Sequence, residues 1–348
     1  MHGTTPSPAD MMIARVRGRP LAMARLARSL LAGSGRHDAA RDLCIEAMEL
    51  APRDGELAAL ARPVMLRNIE PWYFTMVQDE ARHALYTEAM RRTVRPGSTV
   101  LDIGAGCGLF AMMAAQAGAN VIACERDPAV ADAARAVVQA NGLADRVTVI
   151  AADALDLRVG IDLPEPADAL VWDNLANNLF GAGCAGTLQH ARAHLLKPDA
   201  PLLPGRVEIM TALATDPRPA DRAMARVGGF DIRAFNRLSP AVVTLASGTA
   251  SLLSEGAAMF DVDCTDAIAA ERTSATVRST PGTVHGVVQW LRFHVAPGIV
   301  YDTSDPQVRA FGMQFHPIAP FTVDVPCNVT IHGEHDMRDT WFWVERGA

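Results

Sequence analysis

The sequence predicts an α/β protein in three parts: helices first, then a doubly wound parallel-sheet domain, then an antiparallel, β-barrel-like domain. Three observations carry this. Between residues 99 and 196 short apolar runs alternate with Ala- and Leu-rich helical stretches, the rhythm of a parallel sheet under helices. A glycine-rich turn joins the first run to its helix, and an acid ends the second run. Beyond Pro198, Pro201 and Pro204 the chain turns to short Val-, Thr-, Phe- and Trp-rich runs separated by turn signals. The expected boundaries are 1–65, 66–204 and 205–348.

Met1 to about Pro8 reads as a loose tail. From Ala14 to Met65 the composition is helical, with two helices flanking the turn at residues 33–38 and a stop at Pro52. Ala40, Ala47 and Pro52 stand where a tetratricopeptide unit places its small packing residues and terminating proline. One such hairpin cannot bury its own face, so it is expected to dock on the main domain. After a break at Pro71, Trp72 to Val94 reads as a further helical segment. Met76, Asp79, Arg82 and Tyr86 recur along it at three- and four-residue steps and are expected to share a face. Lying just ahead of the glycine turn, Arg82 is a candidate grip on a ligand carboxylate. A solvated Asp79–Arg82 pair on a surface helix is the other reading.

Thr99 to Leu101 is the first strand and stops at Asp102. Gly104, Gly106 and Gly108 follow at every second position, so the backbone can turn tightly and approach a ligand without a Cβ in the way. Leu109 to Ala117 is the helix after the turn. Asn120 to Cys124 is the second strand and ends on Glu125, where a doubly wound sheet holds a ribose. A helix from Ala129 to Ala140 stops at Asn141-Gly142, and Val147 to Ala151 is the third strand. Asp153 and Ala154, at its carboxyl end, are placed to meet an adenine ring; Asp153 reads equally well as a helix cap. Ala169 to Trp172 is the fourth strand, and the loop from Asp173 to Gly183 leaves it facing a transferable group. Thr187 to Leu196 is a helix stopped at Lys197-Pro198. Later strands are expected at Val207–Leu213, Val242–Leu245, Ala275–Arg278, Val284–Val295, Phe321–Val325, Val329–His332 and Thr340–Val344, with a helical or irregular excursion between Asp216 and Pro240.

The turn has a chemical signature. Phosphate-cradling turns space their glycines one and then two residues apart; this one alternates them strictly and puts an acid ahead of the first. That acid would repel a pyrophosphate and suits the cationic amino-acid end of S-adenosyl-L-methionine. The cofactor-binding residues read from the pattern are Arg82, Asp102, Gly104, Gly106, Gly108, Glu125, Asp153 and Ala154. A nicotinamide oxidoreductase is disfavoured by the same spacing and by the β-rich second half.

Composition narrows the partners. The net charge of −7 argues against nucleic acid, which needs a basic surface. No apolar run approaches the roughly twenty residues of a membrane span. Arginines at 15, 17 and 19 interrupt any signal-peptide core. The six cysteines are scattered with no Cys-x-x-Cys pair, so no metal site is expected and buried reduced thiols are. A cytoplasmic protein is expected.

With these residues in hand the chain resembles the protein arginine methyltransferases, from about Trp72 to Val344. Met76, Asp79, Arg82 and Tyr86 match that family's first helix, whose arginine meets the cofactor carboxylate. Asp102, the three glycines and Glu125 match its cofactor motifs, and Leu179-Phe180-Gly181 matches the end of its acidic loop in one branch. Leu195-Leu196-Lys197-Pro198 followed by Pro204 matches its crossing into a β-barrel. Gly229-Phe230-Asp231 falls where the family's dimerisation arm sits, which implies a head-to-tail homodimer with an arm near 215–240. Two departures stand out. The family clamps its guanidinium substrate with two glutamates; here the first position is Asp173 and the second is Ala182. Its Thr-His-Trp loop is absent near Val308-Arg309-Ala310, and His316 reads as an incidental barrel histidine.

Losing one carboxylate removes a charge-assisted bond of roughly 1.5–3 kcal/mol. The resemblance and the altered loop together imply methyl transfer from S-adenosylmethionine to an arginine, guanidino or amino nitrogen of a protein or small molecule. Asp173 is the expected catalytic residue, and Asn174, Asn177, Asn178 and Met76 are expected to bind substrate. The alternative is a degenerate member that binds or scaffolds without turnover.

Overall fold

The structure, a computed structural model, describes residues 7–33, 36–67, 69, 72–181, 183–216 and 225–346. Most of the expected tail, the break at Pro71, Ala182 and residues 217–224 of the expected arm lie outside these. The chain divides into two compact units, Met1–Tyr73 and Phe74–Ala348.

The first unit holds α1 (Pro8–Val16), α2 (Pro20–Gly33), α3 (His37–Leu50) and α4 (Gly55–Met65). Ala24, Ala27, Ala40, Ala47 and Ala61 are fully buried beside Met23 and Leu57, so small side chains let the helices approach closely. The α2–α3 hairpin does need a neighbour, and α4 packs on both its helices within the same unit. Asp54 caps α4 by accepting from the Leu57 amide at 3.0 Å.

Helix precedes the parallel sheet, and the division between the units falls inside that helical stretch. Residues 72–94 form two helices, not one: α5 (Trp72–Val77) and α6 (Glu80–Thr93), because Asp79 leaves the helical conformation to cap α6. Met76 therefore does not share a continuous helical face with Arg82 and Tyr86. A parallel sheet follows, built from β1 (Thr99–Ile103), β2 (Asn120–Glu125), β3 (Val147–Ala151), β4 (Ala169–Trp172) and β5 (Leu202–Leu203), in the order β3-β2-β1-β4-β5. The crossovers are α7 (Leu109–Gln116), α8 (Pro128–Ala140) and α9 (Cys184–His194). β1 and β4 are buried along nearly their whole length, as strands covered on both faces must be.

After Pro204 the strands pair antiparallel. β6 (Arg206–Thr215) is followed by the exposed hairpin β7 (Arg226–Val227) and β8 (Phe230–Asp231), then β9 (Val243–Leu245), β10 (Ser251–Leu252) and β11 (Ala257–Asp263). β12 (Glu271–Ser279), β13 (Gly282–Ala296), β14 (Ile299–Asp302), β15 (Met313–Val323), β16 (Cys327–His335) and β17 (Thr340–Arg346) complete the chain. One sheet runs β10-β6-β13-β15-β9, with β11 on β6 and β14 on β13; a second runs β12-β16-β17. β5, β10, β11, β14 and the first half of β15 have no counterpart in the sequence reading, and the hairpin β7–β8 stands within the expected helical or irregular excursion. Pro317 and Pro320 argue against a strand there, yet β15 accommodates them where its pairing with β13 shifts register between Val284 and Gly286. Among the described residues no helix is long and apolar enough to cross a membrane.

Candidate active site

In the order β3-β2-β1-β4-β5 the strand sequence reverses between β1 and β4, and the crevice beyond the carboxyl ends of those strands is where such sheets bind ligands. The residues singled out by sequence converge there. Gly104, Gly106 and Gly108 have φ of +79°, +54° and +81°, a region that penalises any side chain. At Gly104 a Cβ would also lie 3.0 Å from the Asn174 Cβ, so the glycine lets the loop after β4 close against the turn. The amides of Gly104 and Ala105 both donate to the Cys124 carbonyl, at 3.0 and 3.1 Å. Glu125 finishes the job: Oε2 accepts from the Gly106 amide at 3.0 Å and Oε1 from the Asp127 amide at 2.8 Å. Burial raises the Glu125 pKa, while these amides oppose the shift.

Asp102, at the end of β1, is 1% exposed, and no hydrogen bond of full geometry reaches either carboxylate oxygen. Burial pushes its pKa up to about 7; the nearby Ala111 amide opposes this, the Glu125 carboxylate adds to it and the Arg82 cation opposes it. A buried carboxylate without donors is costly, and the folded chain leaves this one in that state.

Arg82 lies 4% exposed on α6. One Nη is ion-paired with Asp173 Oδ2, the other donates to the Met76 carbonyl at 3.3 Å, and Nε has no partner. Its guanidinium carbon sits 4.6 Å from the Phe110 ring centre, and Phe110 stacks on Tyr86 at 4.3 Å. Burial lowers its pKa against the opposing pull of Tyr86, Tyr301, Asp79 and Asp102; an arginine remains charged there. The residue read as the cofactor grip and the one read as catalytic thus form a single buried ion pair. The reading of Asp79 and Arg82 as a solvated pair does not describe them: both are buried.

The loop after β4 is held from several directions. Leu179 takes a φ of +73°, unusual for a non-glycine residue, and its amide donates to the Ala176 carbonyl at 2.8 Å. Phe180 is fully buried and stacks on His335 at 4.5 Å. Asn177 Oδ1 accepts from the Gly312 amide at 3.0 Å. Asn178 donates from Nδ2 to the Arg338 carbonyl at 2.9 Å and accepts the Gly181 amide on Oδ1 at 2.8 Å. These two amide side chains are engaged with backbone. Asn174 Oδ1, by contrast, is buried without a partner. At the end of β3, Asp153 caps a short helical turn by accepting from the Leu155 amide at 3.0 Å, and Ala154 is buried beside it.

Some residues that shape the site have no local signal in the sequence. Gln289 in β13 is fully buried; its Oε1 accepts from the Thr340 hydroxyl at 2.8 Å and lies 3.2 Å from His316 Nε2. Burial depresses His316 to about 4, so it stays neutral within the antiparallel part. Tyr301 in β14 reaches the α6 cap from more than two hundred residues away. Only contacts made by the folded chain reveal such groups. Among the described residues no three His, Cys, Asp or Glu side chains cluster to hold a metal ion.

The comparisons with known proteins agree with this geometry. A family profile described as "Methyltransferase domain" matches residues 100–199. The arginine N(omega)-methyltransferase of Streptomyces achromogenes subsp. streptozoticus is 33% identical over 255 residues, covering 71% of this chain and 71% of that protein. Protein arginine N-methyltransferase 7 of Drosophila ananassae is 38% identical over 152 residues, 42% of this chain but only 22% of that longer protein. In fold, the chain resembles the Trypanosoma brucei PRMT1 enzyme–prozyme complex with a TM-score of 0.69 at 21% identity, covering 78% of this chain and 90% of that one. It resembles Arabidopsis thaliana protein arginine methyltransferase 10 with a TM-score of 0.64 at 20% identity, covering 78% and 96%. The chain belongs to the arginine N-methyltransferase family of S-adenosylmethionine-dependent methyltransferases.

Proposed function

We propose that this protein transfers a methyl group from S-adenosylmethionine to a terminal guanidino nitrogen of arginine, free or within a protein. The observation that carries the reading is the pair of charged groups beside the glycine turn that keep unpartnered atoms. Asp102 has two donor-free oxygens and Arg82 an unpartnered Nε, an anion and a cation for the two ends of a zwitterionic amino acid. In this reading Asp102 takes the ammonium and Arg82 the carboxylate. Glu125 keeps a lone pair on each oxygen for the ribose hydroxyls, and the glycines allow close approach. The backbone of Asp153 and Ala154 borders the adenine.

When bound, the cofactor supplies an electrophilic methyl; the protein aligns a nitrogen with it. Asp173 accepts an N–H of the guanidinium, orients the attacking nitrogen and is placed to take the proton it sheds. Asn174 offers the second acceptor and Met76 borders the acceptor side. Asn177 and Asn178 hold the loop rather than the substrate. The test is mass spectrometry of parallel reactions with free arginine, arginine-rich peptides and host extract. Methylated arginine in at least one is expected, and its loss in Asp173→Asn; no product in any of the three overturns the reading.

A second copy of the chain is the partner this reading expects. Val227, Phe230, Phe235 and Leu238 are between 58% and 75% exposed on β7, β8 and the turn after them, an apolar strip that a homodimer would cover. Sedimentation should give a dimer that Phe230→Asp dissociates. The six cysteines are unpaired, in keeping with a cytoplasmic location.

A further inference from the structure

Asp79 joins segments that the sequence keeps far apart. Its Oδ1 accepts the Arg82 amide at 2.9 Å and so fixes the first turn of α6. Its Oδ2 accepts three donors: the Tyr301 hydroxyl at 2.8 Å, the Arg309 amide at 2.8 Å and the Ala310 amide at 2.9 Å. Asp79 is 1% exposed and Tyr301 3%, so these bonds form away from water, where a charge-assisted bond counts most. The two amides come from the backbone and would be there with other side chains. Among the described residues the hydroxyl is the one side-chain donor to this carboxylate, and a phenyl ring would otherwise fill its place against Phe293 and Phe311.

The same loop continues to Gly312, whose amide donates to Asn177 on the loop that begins at Asp173. Residues 309–312 therefore touch the helix that carries Arg82 at one end and the loop that carries Asp173 at the other. Where the family resemblance led to a Thr-His-Trp loop, this chain presents backbone amides and takes its side-chain donor from the preceding strand.

We propose that Tyr301 is a positioning residue: its hydroxyl, donated to Asp79, seats the 309–312 loop against α6 and sets Arg82 and Asp173 relative to each other for methyl transfer. This rests on the reading of function above. Tyr301 does not act as a base, because burial and the Asp79 carboxylate keep it a neutral phenol.

The test is Tyr301→Phe in the full chain, read by calorimetry with S-adenosylmethionine, by kcat and KM with the arginine acceptor, and by thermal melting. Loss of one of four donors should weaken cofactor binding about threefold to tenfold and lower kcat by a similar factor. The acceptor KM should hold within about twofold, because that interaction is not the one removed. In an Arg82→Lys background the same change should add little, since the guanidinium that it aligns with Asp173 has gone. Unchanged cofactor affinity and kcat in Tyr301→Phe, or a lowered melting temperature alone, overturns the proposal while leaving the methyltransferase reading intact. A wild-type chain that binds no S-adenosylmethionine overturns both.

Discussion

Two carboxylates act on the Arg82 cation, each 1% exposed, and they live in opposite surroundings. Asp79, at the start of α6, accepts four hydrogen bonds; Asp102, at the end of β1, accepts none of full geometry. Burial pushes both pKa values up. At Asp79 the donors outweigh burial and hold the carboxyl below its usual value, whereas at Asp102 burial wins and takes it to about 7. The contrast separates a carboxylate whose donors are supplied by folding from one that the fold leaves without them.

The sharpest way to break this comparison is to neutralise each in turn. Asp79→Asn puts an N–H among donors that need an acceptor and should cost about 2–4 kcal/mol of stability, read by urea unfolding. Asp102→Asn removes a buried, unpartnered acid, so melting should stay level or rise. Its affinity for S-adenosylmethionine should fall about 100-fold in calorimetry. Equal loss of stability in the two variants would end the distinction.

The pH dependence should split in the same way. Asp79, with its folded pKa depressed, stabilises above the unfolded value near 4, and that contribution disappears as acid titrates it. Asp102, with its folded pKa raised, favours the fold below about 4 and loses that contribution as pH rises through about 7. A cofactor ammonium needs the ionised form, so affinity should weaken by up to about tenfold per pH unit below 7. Binding that is flat between pH 5 and 8 would contradict the Asp102 assignment. The smallest effects come from the amides. Asn177→Ala, losing its bond to Gly312, should cost about 1 kcal/mol, while Asn174→Ala should leave stability within about 0.5 kcal/mol and weaken turnover. Urea unfolding and steady-state rates on the same preparations separate the two.

What could be read from sequence was local. The run from Thr99 to Glu125 announces strand, turn, helix, strand and acid within a short span, and the folded chain arranges them so. Asp79 was visible as a position on a helix but not as that helix's cap, because periodicity cannot see a break that a side chain itself makes. Its contact with Tyr301 was invisible for a different reason: nothing in Ile299-Val300-Tyr301 marks it apart from any apolar strand. Asn177 and Asn178 looked like free acceptors until the barrel backbone met them. The prolines of β15 hid a strand whose pairing simply shifts past them.

The Asp79 contacts carry one more consequence, for descent and for engineering. A carboxylate near the beginning of the second unit finds three of its four donors among the antiparallel strands and their loops, and the Asn178 side-chain amide on the loop after β4 donates across the same divide to the Arg338 carbonyl at 2.9 Å. The two layers should therefore melt in one transition and be inherited as a pair. A hybrid enzyme spliced at 204/205 keeps its catalytic alignment only if the imported half brings a hydroxyl to the place of Tyr301.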